Sequence, residues 1–316
     1  MRLLYQYPLG TWIENLAVRP NGQLLLTILS TPHLDQLNPF VANATPSTVY
    51  SFPHLTGVAG IAEITPDVFT VAVGNYSLAT GSAVKGSWGI WSVDFHGGED
   101  EIVAKVEKVA SLPTETFPDG QCNLPASGQP NDILVGDINQ GLIWGVDTTT
   151  GDSKIVINDT LTQLEDDPIF GPTGVNGIHV SNSTLYVANT GKAIFGSLPI
   201  HADGTPAGEP SIIAHTLNSS LQFDDFAIKD GDAYLVTGSG NSIERIGLDG
   251  TPKGRIIAGI LNSTQIAEPT SCAFGRTPED DHVLYVVTAG GLAAPVDGDI
   301  RIGAQVLAID TRQWPA

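Results

Sequence analysis

The sequence has few cysteines, few basic residues and no long apolar run, and each shortage removes a class of function. Two cysteines in 316 residues, Cys122 and Cys272, are too few for a disulfide scaffold and lack the spacing of a zinc site. One bridge between them and two separate thiols both stay open, because sequence does not supply a Cα separation. Lys and Arg number 14 against 34 Asp and Glu, a formal charge of −20. Such a chain repels a phosphate backbone and an anionic bilayer, so neither nucleic acid nor membrane is an expected partner. The longest apolar runs, such as residues 23–29, have strand length, well short of the roughly 20 residues that span a bilayer. The seven histidines show no HxH or HExxH pattern, with His179 expected as a core residue, and no GxSxG elbow marks a serine hydrolase.

What is present is turn-forming and strand-forming. Gly at 35 and Pro at 21, with 15% charged and 41% hydrophobic residues, describe many short strands joined by tight turns. Six Asn-x-Ser/Thr sequons, at Asn43, Asn75, Asn158, Asn182, Asn218 and Asn262, exceed the roughly two expected by chance. They point to a secreted glycoprotein. The opening Met-Arg-Leu-Leu-Tyr-Gln-Tyr-Pro has no long apolar stretch, so a signal peptide is expected to be absent from this chain.

Aligned on itself, the chain shows six segments in one register. They are Glu14-Asn-Leu-Ala-Val, Ala59-Gly-Ile-Ala-Glu, Asn131-Asp-Ile-Leu-Val, Asn176-Gly-Ile-His-Val, Asp224-Asp-Phe-Ala-Ile and Thr270-Ser-Cys-Ala-Phe, spaced 45, 72, 45, 48 and 46 residues apart. In most, a turn signal such as Pro20-Asn-Gly or Lys229-Asp-Gly follows, then a second β-rich run. A period near 45 is that of a four-stranded propeller blade. The fold class predicted is all-β, a six-bladed β-propeller over residues 1–316 as one domain. The N-terminal residues 2–8 would close the ring beside 305–310. Loop-like composition over residues 76–88 and 115–129 predicts an insertion that covers one end of the channel.

Residues at equal positions of the inner strands form a ring around the channel. Four are polar, Glu14, Asn131, Asn176 and Asp224, while Ala59 and Thr270 are small. Two carboxylates and two amide carbonyls make a hard oxygen shell suited to a divalent metal, Ca²⁺ above all. Taken singly, each is equally an ordinary turn residue; the shared register is what favours a site. Asp225 is the alternative to Asp224 should the register slip by one.

On these residues the chain resembles the regucalcin and gluconolactonase propellers over essentially its whole length. Asn176-Gly-Ile-His-Val-Ser with Leu185-Tyr-Val-Ala-Asn, and Pro269-Thr-Ser-Cys-Ala-Phe-Gly, are similar to that family's blade signatures. The resemblance implies that Glu14, Asn131, Asn176 and Asp224 hold the metal and that Asp224 serves as acid/base. Sugar-lactone hydrolases of the family carry an Arg where this chain has Gln129, so the cation that grips a polar acidic product is missing. The flanking residues, Trp12, Ile13, Val58, Val175 and Phe223, with Trp88 and Trp91 nearby, are not basic, whereas Trp91 and Trp144 are expected in blade cores.

The segment from Trp12 to Gly22 also resembles a fungal secreted branch of the family that includes hetero-Diels–Alderases of secondary metabolism. This implies a cyclase joining an apolar quinone methide to a terpene alkene. Its catalytic candidates are Asp224, Asn131 and Asn176, and its substrate-binding candidates are Trp12, Gln129, Phe223, Trp88 and Thr270. A metal-dependent lactonase or esterase for a hydrophobic lactone is the alternative, and a non-catalytic ligand-binding propeller the third reading. No organic cofactor is expected, and the chain is expected to be a monomer or weak homo-oligomer binding apolar small molecules.

Overall fold

The computed structural model describes residues 1–96, 104–124, 132–218 and 221–314. Six four-stranded antiparallel sheets follow one another as blades. Their inner strands are Ile13–Val18, Gly57–Thr65, Pro118–Asn123, Val175–Ser181, Phe223–Lys229 and Pro269–Phe274. The described residues contain no α-helix, only two single 3₁₀ turns at Thr264–Ile266 and Thr311–Gln313. Blade 6 takes its outermost strand from the other end of the chain. Arg2–Gln6 pairs antiparallel with Gln305–Asp310, Arg2 opposite Ala308 and Gln6 opposite Gln305, and this closure removes a free sheet edge from the last blade.

Period-2 alternation along each strand sends apolar side chains to the faces where blades stack. Six separate apolar clusters result, and each joins neighbouring blades. Blades 4 and 5, for example, share Ala188, Phe195, Phe223, Phe226 and Leu235. Buried polar ties add to these contacts. Arg19 at the end of the first inner strand pairs bidentately with Asp67 of blade 2, at 2.9 and 2.8 Å, and lies 3.8 Å over the Phe95 ring.

The structure corrects the repeat in blade 3. Asp132–Asp137 is the second strand of that blade, lying between Pro118–Asn123 and Leu142–Asp147. The inner strand is therefore the run Pro118-Asp-Gly-Gln-Cys-Asn, and the residue in register with Glu14 and Asp224 is Asp119, not Asn131. Asn131 and Gln129 themselves lie outside the described residues. Cys122 and Cys272 are both buried and free, without a bridge between them.

Candidate active site

All six inner strands break their pairing at the same place. The ladder skips from Ile13 to Asn15, Val58 to Ile61, Pro118 to Gln121, Val175 to Ile178, Phe223 to Phe226 and Pro269 to Ser271. A bulge of this kind re-aims a side chain out of the normal alternation. The re-aimed residues are Glu14, Ala59, Asp119, Asn176, Asp224 and Thr270. Acids come from alternate blades, 1, 3 and 5, and Glu14, Asp119 and Asp224 converge so that one carboxylate oxygen of each lies within 4.8 Å of the others.

The residue after each of these decides how closely the blades approach. In blades 2, 3 and 4 it is glycine. A Cβ on Gly60 would stand 1.7 Å from the Asp119 carbonyl oxygen, one on Gly120 2.1 Å from that of Asn176, and one on Gly177 2.3 Å from Asp225 Oδ1. Blades 5, 6 and 1 instead present Asp225, Ser271 and Asn15. The Ser271 hydroxyl lies 2.7 Å from Asp225 Oδ2 and 2.9 Å from Asn15 Oδ1, and His179 Nε2 faces the other Asp225 oxygen at 3.2 Å. Asp225 is thus occupied between blades, and Asp224 is the member of the acidic cluster.

Crowding acids away from water favours their protonated forms. Burial, followed by repulsion from Asp119 and Asp224, drives the Glu14 pKa well above the carboxylate range, opposed by a hydrogen bond from Trp12. Burial pushes Asp119 up to about 7. Asp224 is raised by burial first and then by Asp119, Asp225 and Glu268, opposed by the Asn176 amide, which donates to its Oδ1 at 2.8 Å and to Thr190 Oγ1 at 3.0 Å. Three acids this close share protons or accept a cation between them.

An aromatic roof covers the cluster. The Trp12 indole N–H donates to Glu14 Oε2. The Trp12 ring meets Tyr76 edge to face with centroids 6.5 Å apart, Tyr76 lies 5.2 Å from Phe117, and Phe117 lies 5.4 Å from Trp88. Tyr76 starts a short hairpin, Tyr76–Ser77 with Ser82–Ala83, inserted between the second and third strands of blade 2. Burial and the nearby Glu14, Asp119 and Glu268 raise its phenol pKa, so its polar end sits near the acids. None of Trp12, Tyr76, Trp88 and Phe117 is basic.

The other expected contact residues fall differently. Phe223 is fully buried in the core of blades 4 and 5, and Ile13, Val58 and Val175, which hold the same place before the bulge, are buried too. They precede the re-aimed residue and so face neighbouring blades, which removes Phe223 from the mouth. Trp88 is 1% exposed and packs against Phe117, so it shapes the roof with almost no surface of its own open to a ligand. Thr270 occupies a ring position, but its hydroxyl is engaged by the Ile13 carbonyl at 2.7 Å. Sequence reading missed Asp119, Tyr76, Phe117 and Glu268. For Asp119 a signal existed: Asp119-Gly120 repeats the pattern of Ala59-Gly60 and Asn176-Gly177, which Asn131-Asp132 does not.

No family model matches the chain. It is 30% identical over 328 residues to a Phoma sp protein named "Putative hetero-Diels-Alderase", spanning 96% of this chain and 90% of that one. A protein of the same description from Sarocladium schorii is 30% identical over 340 residues, covering 98% and 83%. Among solved structures, the calcium-binding protein regucalcin of Agrobacterium tumefaciens superposes with a TM-score of 0.65 at 15% identity, over 97% of this chain and 92% of that one. A luciferin-regenerating enzyme does so with 0.64 at 13%, over 95% and 92%. The regucalcin-type propeller is the shared fold, and the near full-length sequence match shows that the chain belongs to the hetero-Diels–Alderase family of six-bladed propellers.

Proposed function

We propose that the chain is a biosynthetic cyclase that joins an electron-poor heterodiene, a quinone methide, to the alkene of a terpene. The observation that carries this reading is the aromatic roof of Trp12, Tyr76 and Phe117 over buried acids. Such walls suit flat apolar partners. Holding two of them in reacting geometry replaces much of the entropic cost of a bimolecular addition, and excluding water protects the electrophile. The addition forms one C–O and one C–C bond and loses no atom, so positioning supplies most of the catalysis.

The chain's own acids have roles to match. Burial raises the pKa of both Glu14 and Asp119, which favours their protonated forms; a protonated carboxyl there would donate a hydrogen bond to the heterodiene oxygen and draw electron density from it. In this reading Asp224 assists loss of the water that unmasks the quinone methide, and Asn176, whose amide donates to Asp224 Oδ1, orients it. The oxygen donors also fit a hard divalent cation such as Ca²⁺, with the carboxylates of Glu14, Asp119 and Asp224 and the Asn176 amide oxygen as holders. Bound there, the ion would polarise a carbonyl oxygen as a Lewis acid.

The test is turnover of two substrate sets, with and without EDTA: aliphatic and sugar lactones, and a quinone-methide precursor with a terpene alkene. Adduct formation above the spontaneous rate, with lactones left intact, is the expected result. Lactone opening abolished by Asp224→Ala would establish a lactonase instead. The same reading places the chain on a secretory route, since Asn43, Asn158, Asn182, Asn218 and Asn262 are exposed. Loss of mass on N-glycosidase treatment of secreted protein checks this.

A further inference from the structure

Glu14, Asp119 and Asn176 are each no more than 5% exposed. Asp224, the third acid, is partly open, so an apolar substrate larger than water meets that edge of the cluster directly and reaches the other three only if part of the roof moves. The roof has two halves, and they are held differently. The blade 2 hairpin is tied at its root by reciprocal bonds between Thr56 and Tyr76, at 2.8 and 2.9 Å, by Asn75 with Ser87 at 2.9 Å, and by Val84 with Asn75 at 2.8 Å, besides its ring packing.

The other half is residues 289–304, which join the second and third strands of blade 6 and lay Leu292 and Ala293 on the Trp12, Tyr76, Phe117 cluster. One carboxylate gathers the start of this segment. Glu268 accepts the Ala294 N–H at 2.8 Å and that of Ala293 at 3.2 Å from each oxygen, and the nearby amides of Gly291 and Leu292 help oppose the rise in its pKa that burial causes.

Glu268 is itself fixed firmly. It is 1% exposed, its N–H donates to Asn241 Oδ1 at 2.8 Å, and its carbonyl accepts from Ala289 at 2.8 Å. Gly290 is pinned as well, its N–H donating to the Ala267 carbonyl at 3.0 Å and its own carbonyl accepting from Ile302 at 2.8 Å, so the segment can turn only beyond it. Gly290 and Gly291 have φ of 72° and 83°, left-handed conformations open to glycine, and residues 297–301 are exposed.

We propose that residues 291–301 form the opening half of the roof, pivoting at Gly291 on the base where Gly290 pairs with Ile302, and that Glu268 is the positioning residue that latches it shut by collecting its backbone N–H groups. The latch rests on the proposed function only for the identity of what enters; its mechanics stand on the hydrogen bonds alone. Backbone amides gathered on one buried carboxylate make a strong closed state that is lost as a unit, which gives a two-position element.

Amide hydrogen exchange read by mass spectrometry tests this without any substrate. In the wild type, amides 291–294 are expected to exchange at least about tenfold faster than those of the inner strands, yet slower than free peptide. Glu268→Ala should abolish their protection and leave blades 3 and 4 unchanged, while Glu268→Gln, which keeps one acceptor oxygen, should fall between. Protection equal to that of the blade strands in the wild type would overturn the proposal, as would protection of 291–294 unaffected in both variants. Should Glu268→Ala fail to fold, Glu268→Gln alone carries the test. A loosened segment in a protein with no cyclase turnover would leave the roof standing and overturn the proposed function.

Discussion

The indole N–H of Trp12 donates to the carboxylate of Glu14, two residues further along the chain, so a single hydrogen bond fastens the aromatic roof to the acidic cluster. Trp12→Phe keeps a ring for the Tyr76 contact and removes only the donor. Leaving a buried carboxyl without its partner costs about 1 to 3 kcal/mol, read as a lower denaturation midpoint at unchanged slope. A variant as stable as the wild type would mean that the bond is not formed in solution.

Stability should fall as pH rises in the presence of a chelator. Burial is the first cause that raises Glu14, Asp119, Asp224 and Glu268, the second and fourth to about 7. Each folded-state acid holds its proton more tightly than the unfolded chain does. For Asp119 and Glu268 the contribution is therefore complete below the ordinary value near 4 and is lost as pH passes through about 7. At about 1.4 kcal/mol per pK unit, Glu268 alone accounts for a loss on the order of 3 kcal/mol. Thermal unfolding across this range in EDTA should show it. Added Ca²⁺ should restore most at the alkaline end, where the acids are ionised; a chelated protein equally stable across the range would contradict the shifts.

Asp119→Asn separates the two readings of blade 3. With Asp119 among the converging acids, the variant should show a clearly smaller Ca²⁺-dependent rise in Tm, because one of three charges is gone, and it should also flatten the pH dependence. An undiminished calcium response would remove Asp119 from the set.

Gly177→Ala tests the close approach of blades. Its new Cβ would stand 2.3 Å from Asp225 Oδ1 and 2.6 Å from the Asp225 Cα. Backbone must shift to admit it, and overpacking of this kind costs about 1 to 3 kcal/mol or more. Gly171→Ala, where nothing lies within 4 Å, is the comparison, although its φ of 72° strains any side chain. The first variant should be the less stable by chemical denaturation.

How much of this was legible depended on where each strand's pattern came from. Blades 1, 2, 4, 5 and 6 announce their inner strands with apolar runs after the ring position, as in Ile13–Val18 and Phe223–Lys229. Pro118–Asn123 carries a proline, a glycine and an asparagine, poor strand formers, while the β-rich Asp132–Asp137 beside it has the stronger signal. The stronger signal belonged to the second strand. Tyr76 and Glu268 were out of reach for another reason. Each comes from a connection between strands, and only the assembled ring brings Tyr76 near Glu14 and Glu268 near Asp224. Phe223 shows the converse, since proximity in sequence to Asp224 says nothing of which side of the strand it takes.

The pairing of Arg2–Gln6 with Gln305–Asp310 also sets an order of events during synthesis. The first strand leaves the ribosome without a partner and waits until nearly all of the chain has emerged. Every blade before the sixth can assemble from neighbouring sequence, but the sixth joins the most distant segments of the molecule, so closure is the slow, late step of folding. Until then, an unsatisfied strand and an unsatisfied sheet edge coexist on one nascent chain. Two such chains can satisfy each other, and crowded expression would therefore favour strand-exchanged dimers over misfolded monomers.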